Sequence, residues 1–112
     1  MNEQEKNRTL HTLDGNLRQL NNLETQLNNL DAKLREAREL RYDKDDRLYD
    51  VKRDINDQLN EVKNRILSIR DSYEQFLNDQ DEDIASKAEQ VKSRYENVFD
   101  LFREKDHQSL MI

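Results

Sequence analysis

The chain contains no cysteine, no proline and no tryptophan, a single glycine among 112 residues, and only three Phe and four Tyr. Each gap closes off a class of architecture. Without cysteine there is no disulfide framework and no thiolate metal site, and the redox compartment leaves no mark on the composition. With no proline and one glycine, the sequence is poor in the residues that break helices and shape turns. No window approaches the roughly twenty apolar residues of a membrane-spanning helix. The N-terminal stretch MNEQEKNRTLHTLDGNL also lacks the apolar core of about seven to fifteen residues that a secretory signal needs. A cytoplasmic protein is therefore expected, without membrane insertion. Export by a route that reads something other than a cleaved signal peptide stays open.

What the chain does have is charge. Charged residues make up 39% of it and hydrophobic ones 33%, with a net charge of −6. Ordinary single-core domains lie nearer half apolar, whereas long helices and coiled coils combine this composition with sustained periodicity. An elongated all-α protein follows, with little prospect of an enzyme-like pocket. The acid excess is concentrated late: residues 1–40 and 41–76 each carry −1, and residues 77–112 carry −4. Nucleic-acid binding rests on clustered Lys and Arg, so no nucleic-acid partner is expected. The same balance argues against an anionic membrane surface.

Apolar residues recur at intervals of three and four from Leu10 onward: Leu13, Leu17, Leu20, Leu23, Leu27, Leu30, Leu34 and Ala37. The two successive threes at Leu17, Leu20 and Leu23 form a stammer in a heptad-like seam. Between Arg41 and Arg47 the segment RYDKDDR interrupts that seam and supplies three Asp suited to capping, so a turn is placed at about 42–46. One unbroken helix with a polar interruption is the competing reading. The seam resumes at Leu48, Val51, Ile55, Leu59, Val62, Ile66, Ile69, Tyr73 and Phe76. Two helices, about 4–41 and 47–78, are thus expected to form an antiparallel, coiled-coil-like hairpin. Its seam would be made chiefly by Leu13, Leu20, Leu27 and Leu34 against Val51, Ile55, Val62, Ile66 and Ile69. After the acidic stretch NDQDED, a C-terminal helical segment of about 82–107 carries Ile84, Ala88, Val91, Tyr95, Val98 and Phe102 on one stripe. A helix running straight through the acidic stretch is again the alternative. The whole chain reads as one helical domain.

The constellations that could carry chemistry are sparse. Asp79, Asp81 and Asp83 alternate as the first ligands of a calcium-binding EF-hand loop do, but Ile84 stands where the sharp-turn glycine belongs and Gln90 where the twelfth-position Glu belongs. Helix capping is the better reading. His11 and His107 have no second ligand at metal spacing. Ser68, Ser72, Ser86, Ser93 and Ser109 sit in no nucleophile motif, and no glycine-rich loop exists to cradle a phosphate. No catalysis, cofactor or metal is expected. The one feature above background is YENVFDLFREKD, which gathers Tyr95, Phe99 and Phe102 on a single helical face. Aromatic anchors are enriched at interface hot spots, and this face lies beyond the two matched arms. Val91, Tyr95, Val98 and Phe99 are therefore expected to form a partner-binding face. Closure of the same face onto the hairpin as core is the alternative.

The layout resembles the small helical-hairpin proteins of the ESX or WXG type, which serve type VII secretion in Gram-positive bacteria. In that family a turn near residue forty is commonly marked by Trp-x-Gly, and a C-terminal aromatic is followed four residues later by an acid. Here the turn offers Tyr42-Asp43-Lys44, while the tail offers Phe102-Arg103-Glu104-Lys105-Asp106. The combination is most similar to the LXG-toxin-associated helical partners, which can lack Trp-x-Gly. The resemblance implies a non-enzymatic targeting factor or chaperone that binds the N-terminal helical region of an LXG-type toxin, together with a second small helical protein. It also implies that Phe102 and Asp106 act as an export motif. The reading from the seam alone is a structural coiled-coil protein or adaptor that self-associates as a homo-oligomer and has no part in secretion.

Overall fold

The computed structural model describes residues 2–112 and places α1 at Glu3–Tyr42, α2 at Leu48–Glu74 and α3 at Glu82–Leu110. The three helices form a rod of 62 × 18 × 17 Å. Its length is set by α1, whose 40 residues at about 1.5 Å each run from end to end. Helix α2 descends antiparallel to α1, as the pairs Asn16 with Ser72 and Lys33 with Asp54 require. Helix α3 then climbs parallel to α1, joined to it through Asp14–Lys87 and Asp31–Lys105. The elongated helical hairpin with a C-terminal helix is thus the observed architecture, and α3 lies back along the hairpin as the third wall of its core. Among the described residues, no helix is long and apolar enough to cross a membrane.

Each boundary has a local cause. At the start of α1 the Asn2 side chain accepts the Glu5 backbone N–H at 2.8 Å, and Glu3 and Glu5 complement the helix dipole. The helix ends in a Schellman arrangement: the Lys44 N–H bonds the Arg41 carbonyl and the Asp45 N–H bonds the Leu40 carbonyl. Glycine usually fills the left-handed position of that motif. Here Lys44 fills it, at φ 56°. The Asp45 carboxylate accepts the Arg47 backbone N–H and pairs with the Arg47 guanidinium, closing the turn into α2. At the other end of the rod, Asp79 accepts the Asp81 N–H and Asp81, the N-cap of α3, accepts the Asp83 N–H, both at 2.9 Å.

The expected turn at 42–46 is observed at residues 43–47, and α3 runs three residues past its expected end. Helix α2 stops at Glu74 rather than near residue 78. Phe76 and Leu77 prolong the apolar pattern, but they pack half-buried against the core from a connection in which the Phe76, Leu77 and Asp79 N–H groups bond carbonyls three residues back.

The core is one continuous cluster along the rod. Leu13, Leu20, Leu27, Leu34, Ile55, Val62, Ile66 and Ile69 are buried as the seam predicts, while Val51 is only half-buried near the turn. Into the groove between α1 and α2, α3 lays Ile84, Ala88, Val91, Tyr95, Val98 and Phe102. Burying a Val-, Leu- or Phe-sized side chain stabilises by about 1.5–3 kcal/mol, so this stripe is a large part of what holds the molecule together. Polar residues enter the seam only in pairs. The Asn16 amide donates to Ser72 Oγ at 3.1 Å, the Ser109 hydroxyl to Asn56 Oδ1 at 3.2 Å, and Lys105 reaches Asp31 at 2.6 Å. Among the described residues, no buried side-chain nitrogen or oxygen lacks a partner.

A candidate recognition end of the rod

The aromatic face that the sequence singles out lies at the α2–α3 interface. Tyr73 of α2 and Tyr95 of α3 meet with ring centroids 5.5 Å apart, Tyr95 and Phe99 stack at 5.7 Å, and Phe99 reaches Phe102 at 6.2 Å. This is an aromatic row across the α2–α3 interface, of the geometry that favours ring pairs. Burial raises the Tyr73 hydroxyl to a pKa of about 12. Val91 and Val98 are fully enclosed, Tyr95 and Phe102 are each 7% exposed, and only Phe99 stays half-buried. The expectation that Val91, Tyr95, Val98 and Phe99 stand free of the hairpin is therefore corrected. Their stripe has the width and spacing of a third bundle helix, and the hairpin groove accepts it.

Phe102 shares that correction. Its ring faces inward, so in the closed rod the Phe102–Asp106 pair presents only its acid, and Asp106 is half-buried. The seventh-residue series Ile84, Val91, Val98 continues at Lys105, which is buried at the core's upper end with its ammonium drawn to Asp31.

The exposed large apolar side chains are elsewhere. Tyr42, Tyr49, Leu110 and Met111 are 89%, 71%, 79% and 66% exposed. They belong to the end of α1, the start of α2 and the end of α3, which all converge at one end of the rod. Hydrogen bonds fix that convergence: Arg41 donates to the Met111 carbonyl at 2.7 Å and Lys52 to the Ile112 carbonyl at 3.2 Å. The Arg53 guanidinium lies 5.7 Å from the Tyr49 ring centroid, so this tyrosine face is partly engaged by a cation. Sequence periodicity does not reveal this end, because Tyr42, Tyr49 and the Leu110–Met111 pair belong to the ends of three different helices. Tyr42 and Tyr49, flanking the acid-rich turn, were the available sign.

The opposite end is a charge knot. Lys6 pairs with Asp81 at 3.1 Å and with Asp83 at 2.8 Å. The hydrogen bond from Lys6 is the main reason that Asp81 titrates below the usual carboxylate range, and the Asp83 and Asp81 carboxylates raise Lys6 in turn. The alternating acids thus cap a helix and hold a lysine. Among the described residues, no group of three or more His, Cys, Asp and Glu side chains converges to hold a metal ion. His11 and His107 are exposed on different helices.

Of the depressions along the rod, a groove of about 220 Å³ between α1 and α2 is lined by Gln19, Asn22, Leu23, Gln26, Arg65 and Ser68. Two shallow depressions at the turn end, of about 400 Å³ beside Tyr42 and about 460 Å³ beside Tyr49, are larger and lined chiefly by charged side chains.

No family model matches the chain, and no curated protein or solved structure matches it either.

Proposed function

We propose that this protein is a non-enzymatic helical adaptor that engages protein partners through the turn end of its rod. The observation that carries the reading is the convergence of Tyr42, Tyr49, Leu110 and Met111, the exposed large apolar side chains among the described residues, at one end of the rod. Exposed aromatic and Met side chains with an arginine beside them have the composition of interface anchors. The finer reading is a targeting factor for an LXG-type toxin and its type VII secretion system. The helical-hairpin layout and the aromatic-x-x-x-acid spacing near the same end support it. In that reading, Phe102 holds the last turns of α3 in place, while Asp106, Leu110 and Met111 make the contact.

The test is copurification from the native cell with the parent chain and a Tyr42→Ser/Leu110→Ser variant side by side. Recovery of a toxin bearing an LXG-type helical region by the parent, and its loss in the variant, is the expected result. Equal recovery by both chains would remove the turn end from recognition. A toxin gene beside this one would be a further requirement of the secretion reading.

A further inference from the structure

The connection between α2 and α3 has an unusual relation to the two stripes it joins. Each buried residue of α2 has a counterpart 29 positions later in α3: Ile55 and Ile84, Leu59 and Ala88, Val62 and Val91, Ile66 and Tyr95, Ile69 and Val98, Tyr73 and Phe102. At about 100° per residue, 29 residues make eight turns with roughly 20° left over. One uninterrupted helix from Leu48 to Leu110 would therefore carry both stripes on the same face. Nothing in the intervening QFLNDQD forbids it, since the segment has no Gly or Pro and, among the described residues, Lys44 is the one non-glycine residue of positive φ. The break is maintained by side chains, namely the Asp79 and Asp81 caps and the Lys6 pairs.

The seat of α3 is equally transferable. It is specified by charges that α1 offers in a fixed order: Asp14 to Lys87, Glu24 to Arg94 and Asp31 to Lys105. An α3 arriving from another chain would find the same order.

We infer that the 75–81 connection is a hinge, and that two copies of this chain exchange α3, each seating it in the groove between the other's α1 and α2. In the exchanged dimer α2 and α3 form one helix of about 95 Å, and two bundles lie end to end about the hinge. The contacts of α3 with α1 and α2 are kept, and what is given up is the local geometry of the connection, namely the Asp79 and Asp81 side-chain bonds and the Lys6–Asp81 pair. The turn ends then point away from each other, so the dimer is independent of whether that end binds a partner.

The absence of native cysteine makes the test clean. One chain carrying Asp14→Cys and a second carrying Lys87→Cys are unfolded together, refolded over a range of concentrations, and treated with a short bifunctional maleimide. The exchange gives a cross-linked pair containing one chain of each kind, in proportion that rises with concentration. Light scattering on chains without cysteine should show a dimer fraction that Asp81→Ala raises by about fivefold per chain in the underlying equilibrium, the usual effect of losing an N-cap. Gln80→Pro, which a continuous helix cannot accommodate but a non-helical connection can, should abolish the dimer and keep the helical circular dichroism of the monomer. A monomer at every concentration in both parent and Asp81→Ala chains would overturn the inference. So would a dimer without the mixed cross-link, or equal dimerisation of Gln80→Pro.

Discussion

Six of the seven aromatic side chains lie in two places with opposite circumstances. Tyr73, Tyr95, Phe99 and Phe102 form a row along the α2–α3 interface, and Tyr42 and Tyr49 stand in solvent at the turn end. The crowded set draws the eye in the sequence as a recognition feature, yet it is enclosed by the chain's own hairpin. The scattered set reads as background and is what another protein could touch. Crowding at helical spacing reports that a face needs covering. Only the fold tells whether the chain covers it.

The sharpest way to break this contrast is Val98→Asp. Val98 is fully enclosed beside the aromatic row, and an isolated carboxylate there would have to be protonated or drag water inward. The cost is about 4 kcal/mol or more, at the upper end of single-substitution effects, and a chain largely unfolded by circular dichroism at 25 °C is the expected outcome. Native-like melting would mean that α3 does not pack as described.

Acid sharpens the contrast next. Asp14 is held below the usual carboxylate range by its hydrogen bond from Lys87, Asp81 by that from Lys6, and Asp54 by that from Lys33. A folded-state pKa below the unfolded value contributes stability that is present above the unfolded value, near 3.8, and lost as pH falls through the folded one. The melting temperature should thus hold between pH 7 and 5 and fall below about pH 4. Two of these three pairs join α3 to α1, so the aromatic row should loosen first, seen as rising tyrosine exposure by near-ultraviolet spectroscopy. An unchanged melting temperature at pH 3 would show that the pairs contribute nothing.

At the turn end the expected stability effects are small and of opposite sign. Lys44→Gly removes the steric penalty of a left-handed non-glycine residue, and after the entropy cost of glycine about 0.5–1 kcal/mol of stabilisation should remain. That is a rise of a few degrees in Tm. Tyr42→Ser and Leu110→Ser should lie within about 0.5 kcal/mol of the parent chain, because neither side chain packs on the core. A large loss in either would place the turn end in the folding unit.

Much of the fold is legible in the sequence because period and breakers agree. The seam from Leu13 to Leu34 and that from Ile55 to Ile69 announce two helices, and RYDKDDR announces the turn between them. The end of α2 is not legible, because Phe76 and Leu77 keep the apolar pattern alive across residues where the backbone has already tightened into bonds three residues back. The docking of α3 is hidden for a different reason. Periodicity says that its stripe must be covered, whereas the covering partner is encoded in matched charges, Asp14, Glu24 and Asp31 against Lys87, Arg94 and Lys105, that no spacing rule connects. Lys105 itself was open to discovery as the next seventh residue after Ile84, Val91 and Val98. Tyr42 and Tyr49 could be seen flanking the turn, but Leu110 and Met111 join them only once α3 has been folded back.

Thermal unfolding of Phe102→Ala beside Asp106→Ala decides whether the aromatic row is core. Phe102 is 7% exposed, and truncating a buried phenylalanine costs about 3–5 kcal/mol, a fall of roughly 10–20 °C for a chain of this size. Asp106, half-buried on the next turn, should change Tm by no more than about 3 °C on truncation. A Phe102→Ala chain that melts with the parent would return the row to solvent.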